Sequence, residues 1–258
     1  DLTGSSCLWL ARSDDGVHFT PDPEPALLPT SEEPFSAVEN FSLEDPRITS
    51  IDGTYYITYV AYSNYGCVTV LARTDDFRHY ERVAVMTLPD NKDVVLFPER
   101  IEGRYAKLDR PMTRPPSVGD VWITFSPDLI YWGDPRPVMT PRPRRWDSYK
   151  IGAGAPPIKT PYGWLEIFHG VRATAAGLLY LLPAGQGRAQ CGLSLLGGVA
   201  GADVLQQEPL GPVHQRGPAP GGMFGLEGAG RHPRAAAAVA DHQALAAQFG
   251  VGPAHGAG

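Results

Sequence analysis

The sequence predicts an all-β fold of small antiparallel sheets repeated along the chain, a β-propeller in preference to a two-sheet sandwich. Three observations point there. Short runs of aromatic and β-branched residues follow one another, with no helical spacing of apolar positions between them. Turn signals separate the runs, including Asp-Gly, a strong hairpin signal. One unit also recurs: ARSDDGVHF, ARTDDFRHY and FSPDLIYW each leave a strand through Ser or Thr, then an Asp, then an aromatic or His residue. The repeat comes at intervals of roughly 50 to 60 residues, and radial repetition of a small sheet protects its edges.

The elements follow in order. CLWLARS, the turn DDG and VHFT form the first hairpin. RITSI leads through DG into TYYITYVAYS, whose alternation is clear, and NYG opens CVTVLARTDDF and then HYERVAVM. Later strands are RYAKL, DVWITFS, PVM, PPIKT and WLEIFHGV. Beyond Tyr180 the composition changes. All five Trp and all eleven Tyr lie at or before that residue, whereas 181–258 has no Trp, Tyr, Ile, Thr, Lys or Asn and more than half of the glycines. Such a segment has few large side chains to offset its ordering entropy. No periodic strand pattern is read in it, and only DHQALAAQF favours a short helix. The expected organisation is therefore a β-propeller domain over 1–180 and an atypical, poorly ordered Gly/Ala-rich tail over 181–258.

Charge and composition exclude several classes. With 22 basic and 28 acidic residues and a net charge of -6, the chain lacks the basic field of a nucleic-acid binder. No apolar run reaches the ~18 residues of a membrane span, and the first residues do not read as a secretory leader. Cys7, Cys67 and Cys191 are widely spaced, without a CxxC or Cys/His cluster, so three free or buried thiols in a cytoplasmic, reducing setting are expected. Walker, GxGxxG, HExxH and GxSxG motifs are absent.

The densest chemistry lies in LPDNKDVVLFPERIEGRYAKLDRP. Asp93 sits between a lysine and an apolar run. Desolvation there raises a carboxyl pKa and suits a general acid, while Lys92 opposes the shift; spacing alone leaves a turn cap equally open. Asp45 and Arg47, with Glu44, precede a strand in LEDPRI and suit either charge-assisted bonds to sugar hydroxyls or a structural pair. Arg110, Lys159 and His169 each sit at a strand end. Brought together they would bind an anion such as phosphate; singly, each is ordinary. Trp122, Trp132, Trp146 and Trp164 are better read as packing than as sugar platforms, the paired aspartates 14, 15, 75 and 76 as turn residues, and PRPRRW as a basic surface loop.

EDPRIT, DGTYYITYVAYS, NKDVVLFPERIEGRYAKLDRP, WITFSPDL, KIGAGAPPIKT and GWLEIFHGV resemble the β-1,4-mannooligosaccharide and β-mannoside phosphorylases, glycoside hydrolase family 130, from about Leu8 to Tyr180. The resemblance implies a five-bladed β-propeller, incomplete here, with a central site. It implies inverting phosphorolysis of a β-mannoside, β-1,4-mannooligosaccharide or mannosyl-N-acetylglucosamine, to α-mannose 1-phosphate. Inorganic phosphate is the co-substrate and no metal or organic cofactor is implied. Asp93 matches the catalytic aspartate, which protonates the glycosidic oxygen through the mannose 3-hydroxyl. Arg110, Lys159 and His169 match phosphate-binding positions, and Asp45 and Arg47 match positions near the mannosyl subsite. A neighbouring subunit often completes the subsite beyond mannose, so a homo-oligomer is compatible.

The chain departs from that pattern in LDRP, where the family often has LHRP: Asp109 disfavours phosphate if it faces the site and is harmless if it faces away. The match ends after about Gly177, and a shifted reading frame is the expected origin of the tail. The alternatives are a β-mannosidase on the same scaffold, needing a second carboxylate such as Glu99 or Asp109, and a non-catalytic carbohydrate-binding propeller.

Overall fold

The computed structural model describes residues 5–112, 119–175, 177–181, 192–196 and 204–209. The regular elements are strands, apart from a single 3-10 turn at Phe35–Ala37. β1 (Leu8–Arg12) and β2 (Thr20–Leu27) form a two-stranded sheet. β3 (Ser42–Ile51), β4 (Thr54–Ser63), β5 (Gly66–Thr74) and β6 (Glu81–Val85) form a four-stranded meander. β7 (Asn91–Leu96), β8 (Tyr105–Pro111), β9 (Val121–Ser126) and β10 (Gly133–Met139) form another. In the fourth sheet the long β13 (Gly163–Thr174) pairs with β11 (Lys150–Ala153), β12 (Ile158–Thr160), β14 (Gly177–Leu181) and β15 (Gly192–Leu196), and β15 pairs with β16 (Val204–Pro209).

The closed five-bladed propeller is not what these strands build. They form four separate antiparallel sheets of two, four, four and six strands. Consecutive sheets share apolar contacts: Leu8 and Leu27 pack with Tyr59 and Val70, Leu71 with Leu96, and Leu108 and Ile123 with Ile151 and Phe168. No such cluster among the described residues joins the first sheet to the fourth. The recurring unit specifies a hairpin locally, whereas closure is a long-range property that the unit does not encode.

That unit is one hydrogen-bonded turn used three times, between β1 and β2, β5 and β6, and β9 and β10. Ser13, Thr74 and Ser126 hydroxyls accept from following backbone N–H groups, and Asp15, Asp76 and Asp128 each accept two more. His18 and His79 close the first two turns on the second carboxylate oxygen, at 2.6 and 2.7 Å. Those bonds hold Asp15 and Asp76 well below the usual carboxylate range.

Three strands escape a side-chain reading. β2, TPDPEPAL, carries three prolines that cannot donate to a ladder; β7 is interrupted at Asp93; β11, KIGA, lacks alternation. β15 and β16 lie in the segment in which no periodic strand pattern is read. A ladder needs backbone N–H and C=O groups rather than apolar alternation, and β13 offers them to β15 over Trp164–Phe168. Cys191 and DHQALAAQF lie outside the described residues. Cys7 and Cys67 are free thiols, and Cys67 is pushed up to about 11 by burial and by Asp90.

A buried ion pair ties the 28–39 segment to the second sheet. Glu39, fully buried, accepts from Tyr59 Oη at 2.6 Å and from Arg82 Nη2 at 2.8 Å, and Arg82 also donates to the Leu28 carbonyl at 2.6 Å. Glu39→Ala leaves the Arg82 charge without its partner and is expected to cost about 3–5 kcal/mol, read as a lower urea midpoint at unchanged slope.

Candidate active site

β7 lies against both β3 and β11, and all three are the first strands of their sheets. Two β-bulges of the same kind shape this meeting point. Asp45 and Pro46 of β3 together face the single residue Tyr59, and Asp93 and Val94 of β7 face Asp109. Both aspartates take positive φ, +50° and +56°, a region non-glycine residues enter rarely and Asp more readily than most. Pro46, without an N–H, suits a position the bulge leaves unpaired.

The bulge in β7 turns Asp93 into a buried cluster of cations. Arg47 Nη2 lies 3.2 Å from Oδ1. Arg110 Nη1 lies 2.6 Å and His169 Nε2 3.5 Å from Oδ2. Arg110 Nη1 is also 3.3 Å from His169 Nε2. The two oxygens thus have separate holders, Arg47 on one and the Arg110–His169 pair on the other. Gly152 of β11, opposite His169 in the ladder, supplies the space. A Cβ there would run into Asp93 Oδ2 and come within 2.6 Å of His169 Cε1 and 2.8 Å of Arg110 Nη1.

The charge state of Asp93 differs from the expectation. Burial pushes its pKa up, but Arg110, His169, Arg47 and Lys92 outweigh burial and hold it down at about 2. In the unliganded site Asp93 is an anion. Burial lowers the His169 pKa; Asp93 opposes this and Arg110 adds to it.

Of the six residues singled out, four converge: Asp93, Arg47, Arg110 and His169. Asp45 stands beside them, exposed, its carbonyl accepting from Arg47 Nη1 at 3.0 Å. Lys159 is not brought to Asp93; its exposed ammonium pairs with Glu99 and lies 5.9 Å from the Trp164 ring centroid. Asp109 faces away from Arg110, because successive strand residues point to opposite faces, and pairs with buried Lys107. Lys92 pairs with the Tyr62 hydroxyl.

The tryptophans serve mainly the structure: Trp164 packs edge-on to Phe97 at 5.1 Å, Trp146 stacks on Phe168 at 5.6 Å, and Trp132 donates to the Leu129 carbonyl at 3.1 Å. The PRPRRW stretch is less open than expected, since Arg142 Nε donates to buried Asp147 at 2.7 Å.

Sequence reasoning missed Gly152 and Glu166. Gly152 lay in KIGAGAPPIKT, used only as part of a resemblance, and Glu166 in a strand whose facing partners are long-range. Among the described residues no group of three or more His, Cys, Asp or Glu side chains is placed to hold a metal ion.

Comparison with known proteins gives the same grouping. The family described as β-1,4-mannooligosaccharide phosphorylase matches residues 2–183. A β-1,2-mannobiose phosphorylase of Listeria innocua is 43% identical over 171 residues, which cover 66% of this chain and 46% of that protein. A β-1,4-mannooligosaccharide phosphorylase of Ruminococcus albus is 35% identical over 174 residues, covering 67% and 52%. The solved β-1,2-mannobiose complex of the Listeria enzyme superposes with a TM-score of 0.67 at 38% identity, covering 77% of this chain and 52% of that one. The chain thus spans about half the length of the relatives it matches. With the match extending over most of its length, the chain belongs to the β-1,4-mannooligosaccharide phosphorylase family, glycoside hydrolase family 130.

Proposed function

We propose that this chain carries the site of an inverting β-mannoside phosphorylase, which transfers a mannosyl group to inorganic phosphate and yields α-mannose 1-phosphate. The observation that carries this reading is the convergence of Arg47, Arg110 and His169 on the buried Asp93. Asp93 is the acid and passes its proton through the mannose 3-hydroxyl to the glycosidic oxygen. Arg47 and Asp45 border the mannosyl group. Phosphate binds Arg110 and His169 and attacks the anomeric carbon from the opposite face.

Phosphate is already a charged nucleophile, so the protein's work is positioning and charge neutralisation. It also prepares the acid. Once phosphate occupies Arg110 and His169, their stabilisation of the Asp93 carboxylate weakens, and burial, the first influence on that carboxyl, favours uptake of a proton from solvent. Lys159 joins the phosphate only by leaving Glu99, an exposed pair of the kind worth about 1 kcal/mol or less.

A hydrolase on this scaffold needs a second carboxylate to activate water. Glu99 is engaged with Lys159, and Asp109 with Lys107 on the far face of β8, which favours phosphate as the nucleophile. The test supplies β-1,2- and β-1,4-mannobiose with and without phosphate. Phosphate-dependent mannose 1-phosphate is the expected product. Free mannose at equal rates in both conditions would replace this reading with hydrolysis.

A further inference from the structure

Glu166, on β13 three residues before His169, is a fully buried carboxyl with no role in the reaction outlined above. Its Oε1 accepts from Gly154 N at 3.3 Å, an amide that also donates to the Ile167 carbonyl at 2.9 Å. The backbone it touches is the one that holds Arg47: Arg47 Nε donates to the Gly154 carbonyl at 3.0 Å and Nη2 to the Ala153 carbonyl at 3.2 Å. The same Nη2 reaches Asp93 Oδ1 at 3.2 Å. A continuous path therefore runs from Glu166 through 153–154 and Arg47 to the carboxylate, and it reaches only one of the two oxygens.

We infer that Glu166 is a positioning residue of this site, fixing the Ala153–Gly154 carbonyls that aim Arg47 at Asp93. The chemistry at its own position agrees. Burial drives its pKa well up, against the Gly154 bond and the Arg47 charge, which favours the neutral acid. A neutral acceptor can hold the Gly154 amide beside a guanidinium without forming a competing ion pair. A carboxylate at that place would draw Arg47 away from Asp93.

The inference rests on the proposed reaction only for its catalytic consequence, so its test is a titration that needs no turnover. The Asp93 carboxyl is followed by carbon-13 NMR in the wild-type protein and in Glu166→Gln, Glu166→Met, Arg47→Met and the Glu166→Met/Arg47→Met double variant. Arg110, His169 and Lys92 also act on Asp93 and are unchanged throughout.

Glu166→Met is expected to raise the Asp93 pKa by about one unit, the scale of one lost opposite charge. Arg47→Met is expected to do the same, and the double variant to go no further than Arg47→Met alone, as for residues acting through one path. Glu166→Gln, which keeps a neutral acceptor, should stay near the wild type. An unmoved Asp93 in Glu166→Met, or fully additive shifts, would overturn the inference.

If Glu166→Met does not fold, Arg47→Met reads the same link from its other end: the Gly154 amide and Glu166 carboxyl resonances should move, and stationary resonances would overturn it. In active protein Glu166→Met should lower kcat while leaving phosphate affinity in place, because Arg110 and His169 hold the other oxygen. Absence of any mannoside turnover would count against the proposed function and leave the titration result standing.

Discussion

Asp93→Asn is expected to lower mannoside phosphorolysis by on the order of 100-fold or more, with a larger loss in kcat than in substrate affinity. An amide cannot supply the proton, yet it fills the same volume between Arg47, Arg110 and His169. Phosphate affinity should hold or increase, because the carboxylate now occupies the two groups that would bind the anion, at 2.6 and 3.5 Å. Calorimetric titration with phosphate separates this outcome from a collapsed site, which would bind nothing.

Stability should change in a pH-dependent way. The folded carboxyl is held at about 2, below its ordinary 3.8. Its ion pairs therefore stabilise the fold above that ordinary value and stop doing so as pH falls through about 2. The difference corresponds to about 2 kcal/mol near neutrality. The variant lacks this contribution and keeps three basic groups around a neutral amide. The gap between the two urea midpoints should be widest near pH 7 and close as the solution is acidified. A gap that widens on acidification would contradict the charge state assigned to Asp93.

Gly152→Ala is expected to reduce activity by about 100-fold while leaving the protein folded. A methyl at this position meets Asp93 Oδ2, His169 Cε1 and Arg110 Nη1 together. All three atoms belong to the buried cluster around Asp93, and misplacement of a reacting group by about 1 Å costs roughly that factor. β11 itself has no reason to reject alanine, since Gly152 lies in a regular ladder with His169. Retained near-ultraviolet dichroism and a nearly unchanged melting temperature, together with lost turnover, would identify the glycine as space reserved for the site. Full activity would mean that the cluster relaxes more freely than its burial implies.

Much of the site was legible in the sequence because its residues sit in local motifs. NKDVVLF names Asp93, LDRP names Arg110, EDPRI names Asp45 and Arg47, and WLEIFHG names His169. The turn unit was equally readable, because Ser or Thr and Asp bond to backbone within a few residues. What these motifs left open depended on distance through space.

Desolvation alone predicts a raised pKa for Asp93; the opposite direction follows from basic side chains gathered from three different sheets, Arg47, Arg110 and His169, with Lys92, which no sequence spacing encodes. Lys159 was grouped with Arg110 and His169 as an anion-binding candidate but is held by Glu99, a partner sixty positions away. Asp109 adjoins Arg110 in the chain and is turned from it by the strand's alternation. Gly152 and Glu166 gain their meaning only from what packs against them. The sequence by itself determined most strands, the turns and the titratable groups that meet at Asp93, because these are set by local backbone preference and by side-chain chemistry. The arrangement into four separate sheets, the charge on Asp93 and the membership of its cluster were decided by tertiary structure, because burial and Coulomb interaction depend on neighbours that the chain brings together only when folded.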